Sequence, residues 1–113
     1  MKKFNLRALE PSSYEQRQKN VFYQKTEFKM RIIHLEPDEV IPECQMSSHV
    51  VFLCLEGLVE VMVDGEKTGL GEQQLLAAEP GLFSMKGLAR SRLLGIQVKP
   101  SGPVESAGSQ ARG

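Results

Sequence analysis

The most regular hydrophobic pattern of the chain runs from residue 49 to residue 65, where the sequence reads HVVFLCLEGLVEVMVDG. From Leu58 to Val63 apolar and polar residues nearly alternate, and a period of two with β-branched residues predicts a strand. The segment His49 to Leu55 is almost wholly apolar, which predicts a strand covered on both faces. We therefore predict a central hairpin that turns at Glu56-Gly57 and is closed by a second turn at Asp64-Gly65.

Shorter segments of the same kind surround this hairpin. The predicted strands are Val21–Tyr23, Phe28–Leu35, Val40–Ile41, Gln74–Ala78, Leu82–Met85 and Arg92–Val98, and turns are predicted at Glu36–Glu39, Gly69–Gly71 and Glu79–Gly81. Roughly eight or more short strands, separated by Gly, Pro and acidic turn residues, are typical of an all-β sandwich or barrel. The sequence thus predicts an all-β fold.

The pattern also divides the chain into three parts. Residues 1–20 form an N-terminal arm with one weak element, a polar helical turn at Tyr14–Lys19, which could lie on the barrel or on a neighbouring subunit. Residues 21–99 contain the predicted β-barrel domain. Residues 100–113 are rich in Gly, Ser, Pro and Ala, and we predict a flexible tail because such a segment buries too little to offset its ordering entropy.

Composition narrows the function classes. The 113 residues are 41% hydrophobic and 25% charged, with 14 basic against 14 acidic residues. A net charge of zero does not provide the phosphate-neutralising surface of a nucleic-acid binder. The apolar runs are too short for a membrane span, and the start MKKFNLRALE lacks the apolar core of a secretory signal. We expect a cytoplasmic protein whose two cysteines are free thiols.

Three runs of the sequence resemble the first motif of small single-domain cupins: LEPDEVIPE from Leu35, VFLCLEG from Val51 and VMVDGE from Val61. The stretch from Leu70 to Leu94 looks like the second motif and final strand of that family, so the resemblance covers residues 21–98. It implies a cupin jelly-roll barrel of two antiparallel sheets. Such barrels often dimerise through an edge strand and hold a metal ion or a small molecule at the barrel mouth.

The chain departs from the family at the metal ligands. The family's His-x-His, Glu and second-motif His positions fall on Cys44, Met46, Val50 and Ser84, or, for the histidine pair with a longer spacing, on Glu43 and Gln45. The four positions of the shorter spacing offer neither imidazole nor carboxylate. Hard and borderline divalent ions prefer nitrogen and oxygen ligands. We therefore predict no metal site and no cofactor.

Strand alternation places Phe52 and Cys54 on the same face as Val50. The predicted ligand-binding wall of the cavity is Cys44, Met46, Val50, Phe52, Cys54 and Ser84. These soft or apolar groups favour a metal-free small-molecule-binding or interaction module, and we assign no catalytic residue. The alternative is a cupin enzyme, either a metal-dependent isomerase or oxygenase or a thiol-dependent enzyme that uses Cys44. The sequence leaves the choice between enzyme and binding module open.

The remaining polar candidates have structural interpretations. His34 shares the parity of Met30 and Ile32, whereas His49 points away from the predicted cavity, so we expect the two histidines on different faces. Arg90 and Arg92 are interpreted as a solvated face. The surplus apolar residues Leu53, Leu55 and Leu58 must be covered, and we expect a homodimer.

Overall fold

The computed structural model describes residues 1–100. In this range two 3₁₀ helices, Leu6–Ala8 and Tyr14–Asn20, precede nine strands: β1 Val21–Gln24, β2 Phe28–Leu35, β3 Val40–Met46, β4 His49–Glu56, β5 Leu58–Val63, β6 Glu66–Gly71, β7 Leu75–Ala78, β8 Gly81–Gly87 and β9 Ser91–Val98. Neither helix is long and apolar enough to cross a membrane. Apart from Pro100, the predicted tail lies outside the described residues.

The strands form two antiparallel sheets. One has five strands in the order β1-β2-β9-β4-β7, and the other has four in the order β3-β8-β5-β6. Inward-facing side chains of both sheets form the core, where Val50, Val59, Val61 and Leu93 are at most 1% exposed. The predicted all-β jelly-roll of two antiparallel sheets is confirmed.

The predicted central hairpin is wrong. β4 pairs with β7 and β9, whereas β5 pairs with β6 and β8, so the chain changes sheet at Gly57. Gly57 has a φ of 91°, and a Cβ there would lie 2.3 Å from the Arg90 carbonyl oxygen. Beside this corner, the buried Ser91 hydroxyl accepts a hydrogen bond from the Leu58 N–H at 3.0 Å and donates to the Ala89 carbonyl at 2.7 Å. Alternation identified both strands but not their partners.

The predicted turn at Gly69–Gly71 is also wrong, because these residues form the end of β6. A two-residue turn at Asp64-Gly65, with φ values of 50° and 86°, folds β6 back onto β5 along its whole length. The chain reverses after β6 instead, where Gln73 has a φ of 68° and the Gln74 N–H donates to the Gly71 carbonyl at 3.0 Å. Cross-strand pairing outweighs the turn preference of glycine here.

An irregularity in β3 determines which of its side chains face the interior. Ile41 lies opposite Met85 and Cys44 opposite Phe83, so β3 has one extra residue at Pro42-Glu43. Such a bulge on an edge strand tolerates proline, which lacks the N–H of a regular ladder. Ile41, Cys44 and Met46 therefore all face the space between the sheets.

Residues 4–9 of the N-terminal arm lie on the outer face of the five-stranded sheet. The β2–β9 register places Met30 and Ile32 on that face, opposite Ile96 and Leu94. The Phe4 ring contacts the Phe22 ring with centroids 4.9 Å apart.

The Arg92 guanidinium fixes the same arm from β9. Its Nη2 donates to the Leu6 and Arg7 carbonyls at 3.0 and 3.3 Å, and also to the Leu9 carbonyl. The interpretation of Arg92 as solvated is therefore wrong, whereas Arg90 is largely exposed.

Candidate functional site

A cavity of about 260 Å³ lies between the two sheets, beside the second 3₁₀ helix. Its apolar wall combines inward side chains from both sheets: Ile33, Ile41, Met46, Phe52, Phe83 and Met85. The Phe52 and Phe83 rings approach each other edge to face across the sheets, with centroids 6.3 Å apart. A largely apolar interior of this kind, slightly below the usual volume of about 300–1,000 Å³, suits a small organic molecule.

Gly95 lies in the cavity wall formed by the five-stranded sheet. A Cβ at this position would lie 3.0 Å from Ile33 Cδ1, 3.4 Å from Phe52 Cε1 and 3.5 Å from Arg31 Cγ. Because glycine has no side chain, these three groups can pack closely against the backbone of Gly95. The apolar wall therefore continues directly into the stem of a charged residue.

One end of the cavity is polar. Arg31 projects inward from β2, and its Nη2 donates to Gln97 Oε1 at 3.1 Å. Burial, together with the nearby Arg17 guanidinium, lowers the pKa of Arg31, but an arginine this basic keeps its charge. The cavity thus has a fixed positive charge at one end and apolar groups at the other.

The second 3₁₀ helix forms the cover of this polar end. Tyr14, Arg17 and Gln18 line the cavity from it. The Arg17 guanidinium lies 4.2 Å from the Tyr14 ring centroid and donates to the Tyr14 carbonyl at 3.0 Å. At the end of the helix the buried Asn20 side chain is hydrogen-bonded to both backbone groups of Ser12, at 2.6 and 3.1 Å. These contacts hold the cover in place.

The structure brings together some of the six predicted site residues. Cys44, Met46 and Phe52 line the cavity with inward-facing side chains. Ser84 borders the cavity, but strand alternation turns its side chain outward, opposite Met62. Val50 and Cys54 also face inward, but they are packed in the core. Of these three β4 residues, Phe52 is the one that lines the cavity. A role of these residues in ligand binding stays a prediction.

The two thiols are free, as the sequence predicted. Cys54 is completely buried, with its Sγ 3.4 Å from the Glu56 carbonyl. Burial, reinforced by the charge of Glu72, raises the pKa of Cys54, so its unreactive thiol form is favoured. Cys44 is half-buried, and its Sγ lies 3.9 Å from Met46 Sδ.

The prediction that the two histidines lie on different faces is wrong. His34 pairs with Arg92 and His49 with Val98, so both alternate to the outer face of the five-stranded sheet. They are about 20 Å apart along β9 at the usual rise per residue. His34 Nε2 lies 2.6 Å from Glu36 Oε2, a hydrogen bond that lowers the pKa of Glu36, and His49 lies 3.3 Å from Glu79.

The residues of the cavity do not fit the metal ion that the cupin fold commonly holds. Of the family's ligand positions, Val50 is in the core and Ser84 faces outward, which leaves the sulfur atoms of Cys44 and Met46. Glu43 and Gln45, the longer-spaced pair, are exposed. Within residues 1–100, no group of three or more His, Cys, Asp or Glu side chains is placed to bind a metal. Arg31 would in addition repel a cation.

Sequence reasoning missed the polar end of the cavity. Arg31 has the same inward parity as Ile33 and Leu35, so a charged residue within an otherwise apolar series was a usable signal. The signal was ambiguous because the opposite series, with Met30 and Ile32, is equally apolar. The residues on the second 3₁₀ helix had no periodic pattern that would place them at the cavity.

Comparisons with solved structures identify the architecture. An RmlC-like cupin from Desulfovibrio desulfuricans matches with a TM-score of 0.72 and 15% identity, covering 89% of this chain and 99% of that one. A cupin superfamily protein from Desulfitobacterium hafniense has a TM-score of 0.66, 17% identity and coverage of 71% and 74%.

A conserved protein of unknown function from Streptococcus pyogenes has a TM-score of 0.65, 19% identity and coverage of 73% of both chains. No family model and no curated protein matches the sequence. At these identities the likeness establishes the fold, a small cupin barrel.

Proposed function

We propose, from the premise that this chain is a cupin-fold barrel, that it is a binding module whose cavity takes up a small organic molecule without a metal ion. One observation carries the proposal: the cavity of about 260 Å³ is walled by apolar side chains from both sheets and has polar groups at one end. Specific small-molecule sites have this composition, with apolar contacts for affinity and a few polar groups for orientation. The side chains at the family's metal-ligand positions, described above, do not fit a metal ion, which supports binding without one.

The proposal is tested by blocking the cavity. Met46 is half-buried and faces the cavity, so Met46→Trp should fill it. Met62→Trp is the matched control, because Met62 is half-buried on the opposite face of the same sheet. In ligand-observed NMR with a panel of small aromatic and aliphatic compounds, we expect binding to the wild type and to Met62→Trp, in the presence of a chelator. We expect Met46→Trp to lose it.

Two results would contradict this function. Equal binding to both tryptophan variants would place the site elsewhere. Elemental analysis that finds one tightly held transition-metal ion per purified chain would refute the metal-free part and favour the enzyme alternative.

The cytoplasm is the location we propose, because two free thiols suit a reducing compartment.

The protein is proposed to act as a homodimer. The outward residues of β4 and β7 include Val51, Leu53 and Leu75, and Leu75 is 59% exposed. The N-terminal arm contacts the β1 side of this face, through Phe22 and Tyr23. An uncharged apolar surface is self-complementary, which a two-fold interface requires.

We expect the wild type to sediment as a dimer and Leu75→Lys as a monomer, since a charge in the interface would have to be desolvated. Leu88→Lys is the control, because Leu88 is 47% exposed and lies in the loop between β8 and β9. Analytical ultracentrifugation distinguishes the two states. A monomeric wild type, or a dimer in which Leu75→Lys has no effect, would refute the interface.

A further inference from the structure

Arg31 is a charged residue that lines the cavity without a counter-charge among the described residues. The ion pairs among residues 1–100 join His34 and Arg90 to Glu36, His49 to Glu79 and Lys86 to Asp38, and none involves Arg31. Its Nε is buried and has no hydrogen-bond partner. Desolvating a charge and a donor without compensation is costly. That Nε is too buried for a ligand to reach, and Arg92 Nε is in the same state, so the terminal N–H groups of Arg31 at the cavity are the ones that a ligand with the missing negative charge would meet.

A second cation reinforces the positive potential of the same end. Arg17 reaches the cavity from the 3₁₀ helix, and its charge acts on Arg31. The acidic residue that borders the cavity is Glu39, whose Oε1 accepts the Glu36 N–H at 2.9 Å within the turn before β3. The polar end of the cavity therefore has an excess of positive charge, which favours an anion.

The geometry around Arg31 suits one class of anion. Gln97 accepts one hydrogen bond from Nη2 and so orients the planar guanidinium. Its remaining terminal N–H groups, on Nη1 and Nη2, can bind both oxygens of a carboxylate, a geometry that arginine favours. The stem of Arg31 adjoins Ile33 and Phe52 around Gly95, so a group attached to that carboxylate would meet apolar side chains at once.

We propose, building on the binding function above, that the ligand is a small organic carboxylate with an apolar body and that Arg31 binds the carboxylate. The apolar body lies between the sheets against Phe52 and Phe83. Arg17 adds a second positive charge from the helix that covers the site. The cavity volume restricts the ligand to a small molecule.

The test compares two matched pairs of probes, benzoate with benzamide and hexanoate with hexanamide, by titration calorimetry. A charge-assisted hydrogen bond contributes about 1.5–3 kcal/mol, so the wild type should bind each carboxylate about 10- to 100-fold more tightly than its amide. Arg31→Met should abolish this preference. Arg90→Met should retain it, because Arg90 is largely exposed and pairs with Glu36. Arg31→Lys should bind carboxylates with intermediate affinity, since lysine keeps the charge without the planar fork.

The outcomes distinguish failure of the anion inference from failure of the binding function. Equal binding of carboxylate and amide by the wild type, or an undiminished preference in Arg31→Met, would overturn the anion inference and leave the binding function supported. Binding of neither member of either pair would contradict both proposals. The comparison of probes on the wild type does not depend on any variant, so the inference stays testable if Arg31→Met fails to fold.

Discussion

Gly57→Ala will destabilise the protein by about 2–5 kcal/mol, and Gly65→Ala by only about 1–2 kcal/mol. Both glycines have φ near 90°, at 91° and 86°, so each alanine meets the same left-handed backbone penalty. The difference is steric. A Cβ at Gly57 would lie 2.3 Å from the Arg90 carbonyl oxygen and 2.8 Å from Ser91 Cα, whereas nothing lies within 4 Å of one at Gly65.

The clash at Gly57 involves backbone atoms that no side-chain rotation can move away. Relief would require the corner between β4 and β5 to separate from the start of β9. Urea denaturation of the two variants and the wild type measures the loss of unfolding free energy. If the two substitutions cost the same, the close approach at Gly57 has no energetic role and the corner is held by other contacts.

Leu93→Ala will cost about 2–5 kcal/mol of unfolding free energy, through lost burial and the cavity that remains. Leu93 is 0% exposed and belongs to the core between the sheets, where it lies opposite Cys54 on β4. Because the strands of both sheets are fixed by their ladders, the surrounding residues can collapse only partly into the space.

Leu88→Ala is the matched control, since it removes the same atoms from a side chain that is 47% exposed. We expect a change within about 0.5 kcal/mol, as for most surface substitutions. The midpoint and slope of urea denaturation, followed by circular dichroism, distinguish the two variants. Similar losses for both would show that the apolar contacts of Leu93 do not stabilise the fold more than those of a surface leucine.

The sequence by itself determined the fold class. Alternation from Leu58 to Val63 and the near-continuous apolar run of β4 are local signals, and they identified strands because side-chain direction follows from the backbone within one segment. The apolar wall at Cys44, Met46 and Phe52 followed from the same rule combined with the family resemblance. The turn at Asp64-Gly65 was equally local.

Only the tertiary structure decided which strands pair, and therefore which face is the inside. The run through Gly57 has the pattern of a hairpin, but its strands belong to different sheets, because pairing depends on partners 20 or more residues away in sequence. The N-terminal part of the arm covers the outer face of the sheet, so β2 carries apolar side chains on both faces. Its sequence alone therefore could not assign Arg31 to the interior. The bulge at Pro42-Glu43 and the placement of the second 3₁₀ helix are likewise results of packing. The polar end of the cavity is formed by these long-range contacts, which the hydrophobic periodicity of a single segment does not indicate.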